Sequence, residues 1–358
     1  MSRALPATIA APTVPPMARV LPWIVAIALI ALPFVYHEPY PLHLMIVVLI
    51  WSFAYTSWSV MGRFGLVSLG HGGFFGIGAY GSALLWNNFH LTPWLGIPVS
   101  MVLAVGLALV VAYPCSRFKI TGHYFALVTL ALSAIVQQVA NASRDITGGS
   151  LGYTPEKVAG AGPWQSFQFA DKMTWYFIAL TVWAIGLLIR WWADRSMIAY
   201  ALEAIAEDED AASAAGVNVM AEKLKITALS AAMTAFAGGM YCQYQMFIAP
   251  DTVSGINVSL QMVFAAVVGG IYVLPGPTVG AIITILLAEG LRIFFGTGAL
   301  GWDNLVYGTL LVLFIIFLPQ GLVGSAWNKL TGNCHPKLGD LFRELCILTI
   351  TVQLGECR

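Results

Sequence analysis

The sequence predicts an all-α polytopic membrane protein with about ten transmembrane helices. Of its 358 residues, 59% are hydrophobic and only 9% are charged, whereas about 25% of the residues in soluble proteins are charged. Apolar runs of spanning length, about 20 residues for a helix, recur along the chain. The composition therefore excludes an ordinary soluble enzyme. With 17 basic and 17 acidic residues, the chain also has no positive excess for binding nucleic acid.

Ten apolar runs, separated by polar breaks, are the candidate spans. The third, fifth and eighth contain enough glycine or polar residues that one of them can be re-entrant or broken. The ten runs lie near residues 20–36, 42–61, 66–86, 93–113, 123–141, 173–191, 224–246, 258–274, 278–295 and 303–318.

The distribution of lysine and arginine predicts the orientation in the membrane. Basic residues accumulate in the cytoplasmic loops of bacterial membrane proteins. With the N-terminus inside, 13 of the 17 basic residues fall on the cytoplasmic side, and those outside are Arg144, Lys157, Lys172 and Arg292. We therefore predict a multi-pass protein of the bacterial inner membrane with both termini in the cytoplasm.

Three segments follow from this pattern. Residues 1–19 form a cytoplasmic N-terminal segment, residues 20–324 a transmembrane domain and residues 325–358 a cytoplasmic tail. Two connections are longer than a turn: an external one at 142–172 and an internal one at about 192–223, the most polar stretch of the chain. The five cysteines lack the spacing of a metal site. No arrangement of side chains points to a catalytic site, so we expect neither a metal nor enzymatic activity.

The internal connection predicts a helix from Met197 to Ala215, because this stretch is rich in alanine and contains neither glycine nor proline. The acidic run from Glu207 to Asp210 lies within it, and Gly216 supplies the stop. The stretch is either a solvated surface helix or an amphipathic helix that docks into a groove of a soluble partner. Its one small apolar patch, at i, i+3 and i+4, is formed by Leu202, Ile205 and Ala206.

A glycine-rich stretch lies in the third candidate span. Gly76, Gly78 and Gly81 have the GxGxxG spacing of a dinucleotide-binding fold, but that interpretation fails inside an apolar span. Gly72 and Gly76 have the GxxxG spacing that lets helix backbones approach closely in lipid. Close packing is therefore the first interpretation. Direct contact with a solute is the alternative, because the same segment also carries the polar side chains of Ser68 and His71.

Motifs along the chain carry a family resemblance. The spacing of Asp210, Ala211, Ala212 and Gly216 resembles the cytoplasmic EAAxxxG loop of ABC importer permeases, with Asp in place of Glu. Over residues 40–325 the chain resembles the branched-chain amino acid permease family, in its M-type subunit. The matching motifs, in order, are GRFGLVSLGHGGFFGIGAY at 62–80, GHYFALVTLA at 122–131, TGGSLG at 147–152, FIAPDTVS at 247–254, VVGG at 267–270, GPTVGAIIT at 276–284 and LPQGLVG at 318–324.

The resemblance implies the fold of a type II ABC importer permease. It implies a permease subunit of an ATP-driven importer for branched-chain or related amino acids, working by alternating access. The implied partners are a paralogous permease, two cytoplasmic ATP-binding subunits, a periplasmic solute-binding protein and the lipid bilayer. This chain would bind no cofactor, because ATP and Mg²⁺ are used by the partner subunits. In agreement, the sequence contains no GxxxxGK[ST] phosphate loop.

The resemblance also assigns an ATPase-docking loop within the internal connection. Ala201 and Ala206 stand where the family has arginines, and residues 331–358 do not resemble the family. A urea or amide permease is the alternative solute class, and an ion-coupled secondary transporter is a further alternative. The docking residues are Leu202, Glu203, Ile205, Glu207, Asp208, Glu209, Asp210, Ala211, Ala212 and Gly216.

Polar residues within or beside the spans are candidates for a translocation path. We expect His71 to hydrogen-bond a neighbouring helix. Glu289 and Arg292 lie three residues apart, where pairing would offset the cost of ionised groups in lipid; lining the path is the alternative. Asp251, in an external turn, is either a turn cap or a contact for a partner protein. The path candidates are Ser68, His71, Gly76, Tyr80, Gln137 and Glu289.

Overall fold

The computed structural model describes residues 29–34, 38–156, 162–295, 308–309 and 321–322. Within these ranges the chain is helical, apart from turns, loops and one isolated antiparallel bridge between Tyr153 and Ile248. The N-terminal segment 1–19, most of the candidate spans 20–36 and 303–318, and the tail 325–358 lie outside the described residues. Their assignments stay predictions.

Eight long helices in the described part of the chain coincide with the second to ninth candidate spans. Their ends differ from the predicted ends by at most five residues, as expected when apolar runs set their positions. Numbered in chain order, the long helices are α1 Pro39–Gly62, α2 His71–Phe89, α3 Pro93–Arg117, α4 His123–Ala142, α7 Lys172–Asp194, α10 Val219–Gln245, α12 Ile256–Gly269 and α13 Gly276–Phe295. The short helices are α5 Arg144–Thr147, α6 Pro163–Ser166, α8 Met197–Glu207, α9 Glu209–Ala214 and α11 Pro250–Val253.

Five helical segments among the described residues are long and apolar enough to cross a membrane. They are α1, α3, α4, α7 and the segment Pro250–Gly269, which joins α11 and α12. The number of ten spans and the type II importer fold stay predictions. The less apolar helices α2 and α10 pack against each other and against α3, and their other neighbours include α1 and α4. Polar residues in membrane helices face the interior of the bundle, which is where this arrangement puts α2 and α10.

The backbones of α2 and α10 approach closely at the centre of the bundle. A Cβ atom on Gly78 would overlap the backbone carbonyl of Ala235, and one on Gly238 would overlap the backbone of α2. On another side of α2, a Cβ atom on Gly76 would lie 2.7 Å from the Cβ atom of Ser254. The glycines therefore serve close packing, as their spacing predicts, because van der Waals contact holds helices together where lipid removes the hydrophobic driving force.

Helix α2, which corresponds to the third candidate span, begins at His71, five residues later than predicted. Residues 66–70 form a buried non-helical segment instead. The indole N–H of Trp58 donates to the carbonyl oxygen of Ser68 at 2.8 Å, and the amide of Leu69 donates to the hydroxyl oxygen of Thr129 at 2.9 Å. Non-helical backbone is tolerated at membrane depth where protein surrounds it and bonds it in this way. Apolar composition alone does not distinguish such a segment from a helix.

The helical segment Pro250–Gly269 is broken just before residue 258, where the eighth candidate span was predicted to begin, so the break lies outside that span. α11 ends at Val253 and α12 begins at Ile256. Between them Gly255 adopts a φ of +94°, a conformation that residues with a Cβ atom rarely adopt. Gln137 of α4 also occupies the space that a Cβ atom on Gly255 would need. The break therefore requires glycine at this position.

The long connection between α4 and α7 makes hydrogen bonds to the rest of the chain in its described part. The hydroxyl of Thr147 donates to the carbonyl oxygen of Ala140 at 2.6 Å. Further along, Tyr153 and Ile248 exchange two backbone hydrogen bonds of 2.7 and 3.0 Å. The connection is thereby fastened to the turn between α10 and α11.

Arg190 is a fully buried arginine in α7, although the sequence analysis counts it only as a cytoplasmic charge at the end of a span. Its guanidinium group donates to the hydroxyl oxygen of Ser59 and to the carbonyl oxygen of Ile271. Asp194 lies 3.8 Å from its Nε atom and pairs with Arg63 at 2.8 Å. An ionised side chain in a membrane span is costly unless it is paired. This charged network therefore joins α1, α7 and the α12–α13 connection.

Replacing Gly78 by alanine should separate α2 from α10, because the obstacle to the new Cβ atom is backbone, which cannot rotate away. Overpacking of a core typically costs about 1–3 kcal/mol, so we expect a lower thermal unfolding temperature for the purified protein in detergent. Gly106→Ala is the matched control, since a Cβ atom there meets nothing within 4 Å. Equal unfolding temperatures for the two variants would contradict the close contact.

Replacing Arg190 by methionine should deplete the folded protein, because the carbonyl oxygen of Ile271 and the carboxylate of Asp194 each lose a buried charged partner. Removing one member of a buried ion pair typically costs about 3–5 kcal/mol. The measurement is the yield of monodisperse protein after extraction in detergent. Arg195→Met, which removes an exposed guanidinium group stacked on the Trp191 ring, is the control. Similar yields would show that the network contributes little to folding.

Candidate docking segment and translocation path

The docking segment, residues 192–223, contains two helices where the sequence predicts one. Between α8 and α9, Asp208 is extended, with a φ of −157° and a ψ of 113°. Its carboxylate accepts hydrogen bonds from the amides of Asp210 and Ala211, each at 2.9 Å. Aspartate is a strong N-terminal cap, so it starts a second helix here. The prediction of one continuous helix over Met197 to Ala215 is therefore wrong.

The predicted end of this helical stretch is confirmed. Gly216 has a φ of +92°, and its amide donates to the carbonyl oxygen of Ser213 at 3.0 Å. The amide of Val217 donates to the carbonyl oxygen of Ala212 at 3.1 Å. This pair of bonds is the Schellman motif, in which glycine supplies the left-handed residue after the helix.

The apolar side of α8 packs against the protein's own bundle. Leu202 is only 1% exposed, and Ile205 is also buried. Both belong to the main apolar cluster, which includes Ile226 of α10. Ala199 is the third buried residue on this side of α8. The prediction that Ala206 belongs to the apolar patch is wrong, because Ala206 is exposed. A partner protein would therefore meet the opposite side of α8.

Two acids of the predicted docking run are paired within the chain. Glu209 bonds Lys223 of α10 at 2.6 Å, and the Lys223 side chain is almost buried. Asp210 bonds Lys119, in the α3–α4 connection, at 2.7 Å. The hydrogen bond from Lys119 lowers the pKa of Asp210, and the same bond raises the pKa of Lys119. This second pair is exposed, so salt screens it. The remaining exposed acids of α8 are Glu203 and Glu207.

Two exposed side chains on α8 escaped the sequence analysis. Met197 is 81% exposed and Tyr200 is 62% exposed. Their i, i+3 spacing, on the side away from Leu202, was the available signal. We call Met197, Tyr200 and the neighbouring Glu203 the exposed α8 face. Large side chains exposed beside an acid are typical of the anchors in protein interfaces.

Ser68, in the non-helical segment before α2, and His71, the first residue of α2, are both buried. The Nε2 atom of His71 lies 2.7 Å from the hydroxyl oxygen of Ser230 in α10. Since Ser230 donates its own proton to the carbonyl oxygen of Ser57, Nε2–H of His71 is the donor. The predicted bond to a neighbouring helix is confirmed. Ser68 and Thr129 line a small cavity between α2, α3, α4 and α10.

Three other path candidates surround the break between α11 and α12. Gly76 abuts Ser254. The side-chain amide of Gln137 donates to the carboxylate of Asp251 at 2.7 Å. Tyr80, one helical turn after Gly76, is 6% exposed, and its hydroxyl has no hydrogen-bond partner in the described part of the chain. The structure thus brings Gln137 into contact with Asp251 and Gly76 into contact with Ser254, and Tyr80 lies one turn further along the same side of α2.

Glu289 lies apart from the other candidates. The hydroxyl of Tyr40, at the start of α1, donates to its carboxylate at 2.6 Å. The side chain of Arg292 lies outside the described residues, so its pairing with Glu289 stays a prediction. Nearby, the Nδ1 atom of His43 and the hydroxyl oxygen of Tyr244 lie 2.6 Å apart. These contacts join the first turns of α1 to α13 and α10.

The chain is similar in sequence to permease proteins of branched-chain amino acid transport systems. The high-affinity branched-chain amino acid transport system permease protein LivM of Escherichia coli is 29% identical over 284 residues, which is 74% of this chain and 65% of that relative. The match thus spans less than two thirds of the length of LivM. The corresponding LivH of Escherichia coli is 26% identical over 284 residues, 74% of this chain and 88% of the relative. A probable LivH of Methanocaldococcus jannaschii is 27% identical over 263 residues, which is 71% of this chain and 82% of that relative.

A family model agrees with these relatives and covers the helices described above. No solved structure matches the chain. The matching model is described as "Branched-chain amino acid transport system / permease component" and extends over residues 40–315. Because it covers well over half of the sequence, the chain belongs to the family of branched-chain amino acid transport system permease components.

Proposed function

We propose that this chain is a membrane permease subunit of an ATP-driven importer for branched-chain or related amino acids. The observation that carries the proposal is the exposed α8 face, presented by a segment whose other side is packed and ion-paired onto the bundle. Such a surface suits a soluble motor that must push on the membrane helices. The names of the relatives LivM and LivH support branched-chain amino acids as the solute class.

The proposed assembly contains a second, paralogous permease, two cytoplasmic ATP-binding subunits and a periplasmic solute-binding protein. Similarity to both LivM and LivH supports a pair of related permeases. In this assembly ATP and Mg²⁺ are bound by the ATP-binding subunits, and this chain carries no cofactor. The assembly lies in the bacterial inner membrane, with the docking segment and both termini of this chain in the cytoplasm.

Contacts of the docking segment suggest how force would reach the spans. α8 follows α7 directly, and α7 carries the charged network of Arg190 to the α12–α13 connection. α9 is joined to α10 through Glu209 and Lys223 and to the α3–α4 connection through Asp210 and Lys119. A displacement of the docking segment would therefore move several spans together. This coupling supports alternating access, in which closure of the ATP-binding subunits rocks the spans.

The acidic run is not the best place to test docking. Asp208 caps α9 and Glu209 holds a nearly buried lysine, so reversing the charges from Glu207 to Asp210 would disturb the fold of the segment. Side chains of the exposed α8 face can be altered without this effect, because they point away from the bundle.

Replacing Tyr200 by alanine should weaken binding of the ATP-binding subunits, because an exposed aromatic anchor is lost. Truncation of such an anchor typically costs about 2 kcal/mol or more, which is more than tenfold in affinity. The measurement is co-purification of the ATP-binding subunits with the permease pair. Tyr124→Ala, at an exposed tyrosine in the first turn of α4, is the matched control and should have no effect. Equal recovery with both variants would remove Tyr200 from the interface.

Uptake by the reconstituted assembly tests the proposal as a whole. Proteoliposomes with all subunits should take up labelled leucine with ATP and not with a hydrolysis-deficient ATP-binding subunit, because the energy comes from the partner. Labelled urea is measured in parallel. Uptake of urea in place of leucine would keep the ATP-driven mechanism and change the solute. Uptake that depends on an ion gradient and not on ATP hydrolysis would contradict the proposal.

A further inference from the structure

Asp251 is an exposed carboxylate held in a defined position at the break between α11 and α12. The amide of Gln137 donates to its Oδ1 atom at 2.7 Å. Gln137 is itself packed against Gly255, where no Cβ atom could fit. The hydroxyl oxygen of Thr252 accepts from the amide of Ala249 at 3.2 Å and so closes the turn. The Asp251 carboxylate is therefore held in place by Gln137, and Thr252, not Asp251, caps the turn.

The Asp251 carboxylate also differs from the acids at the docking end of the bundle. Asp194, Glu209 and Asp210 each pair with a lysine or arginine. Among the described residues, Asp251 has the one hydrogen bond from Gln137 and no ion pair. Its second oxygen, Oδ2, is thus available for a cation from outside the chain.

The hydroxyl of Tyr80 is a second polar group without a partner at the same place. It is buried, and no described residue bonds it. Tyr80 follows Gly76 by one helical turn, and Gly76 abuts Ser254, next to α11. Because residues four apart share one side of a helix, Tyr80 lies on the side of α2 that faces α11. A buried hydroxyl without a hydrogen bond raises the free energy of the protein. A ligand that hydrogen-bonds the Tyr80 hydroxyl removes this cost and therefore binds more tightly.

We propose that Asp251 and Tyr80 bind a zwitterionic amino acid as it enters this chain. The carboxylate of Asp251 accepts hydrogen bonds from the ammonium group of the solute, and the hydroxyl of Tyr80 donates to the solute's carboxylate. Gln137 is a positioning residue that holds Asp251. The inference rests on the proposed function and adds the point at which the permease itself contacts the solute.

The chemistry at this place favours an organic ammonium group over a metal ion. A calcium ion needs six to eight oxygen ligands, whereas no cluster of three or more His, Cys, Asp or Glu side chains occurs in the described ranges. A primary ammonium group needs only a few acceptors, and a charged partner strengthens each bond. The carboxylate, as an acceptor, and the phenol hydroxyl, as a donor, also match the ammonium and carboxylate groups of one amino acid.

The test uses the complete transporter in proteoliposomes, with the solute-binding protein loaded with labelled leucine. Two quantities are measured: the concentration of loaded binding protein that half-maximally stimulates ATP hydrolysis, and the leucine transported per ATP hydrolysed. For Asp251→Asn we expect the first to stay unchanged and the second to fall roughly tenfold, because charge-assisted hydrogen bonds are lost. Asp251→Glu should restore part of the transport. Asp145→Asn, at another exposed carboxylate, is the matched control.

Tyr80→Phe is the second variant, and it removes only a hydroxyl for which no described residue is a hydrogen-bond partner. We expect leucine transported per ATP to fall several-fold, with normal recovery of the complex.

The other outcomes decide against the inference in distinguishable ways. A raised half-maximal concentration with normal transport per ATP would make Asp251 a contact for the binding protein. Unchanged values for both Asp251→Asn and Tyr80→Phe would leave these two residues with a structural role only. ATP-independent uptake, or no leucine uptake, by the unmodified transporter would overturn the proposed function and this inference with it.

Discussion

Direct contact between the backbones of α2 and α10 is the interaction on which the rest of the bundle depends. Lipid chains are as apolar as the helices, so helices associate through close packing and not through burial from water. Gly78 and Gly238 remove the side chains that would keep the two backbones apart. α1 and α3 pack around this pair, and α4 and α12 cover α2.

Charged groups differ in how many partners they have within the described part of the chain. Around the internal connection, most charged groups are paired. Arg190 bonds Ile271 in the α12–α13 connection, and Lys223 of α10 bonds Glu209 of α9. In contrast, Asp251 and Tyr80 retain unused bonding capacity. The paired groups connect elements of the fold, and Asp251 and Tyr80 are the groups that our proposal assigns to the solute.

The sequence predicted the long helices well, because apolar runs mark them directly. It predicted Gly216 as a helix stop for a local reason, the left-handed conformation that glycine alone adopts easily. It failed at residues 66–70, since a buried loop surrounded by protein is as apolar as a helix. It also missed the cap at Asp208, where a side chain competes with a continuous helix, and the burial of Arg190, which depends on partners distant in sequence.

The partners of Arg190 become available at different times during synthesis. Ser59 precedes α7 and Asp194 follows within one turn, so both exist when α7 is inserted. Ile271 belongs to a connection made only after α10 and α12 have been synthesised. The bridge between Tyr153 and Ile248 forms only after α10 has been synthesised. During synthesis, Arg190 therefore lacks its bond to Ile271 until the α12–α13 connection has been made. The connection between α4 and α7 likewise lacks its bridge until Ile248 has been made.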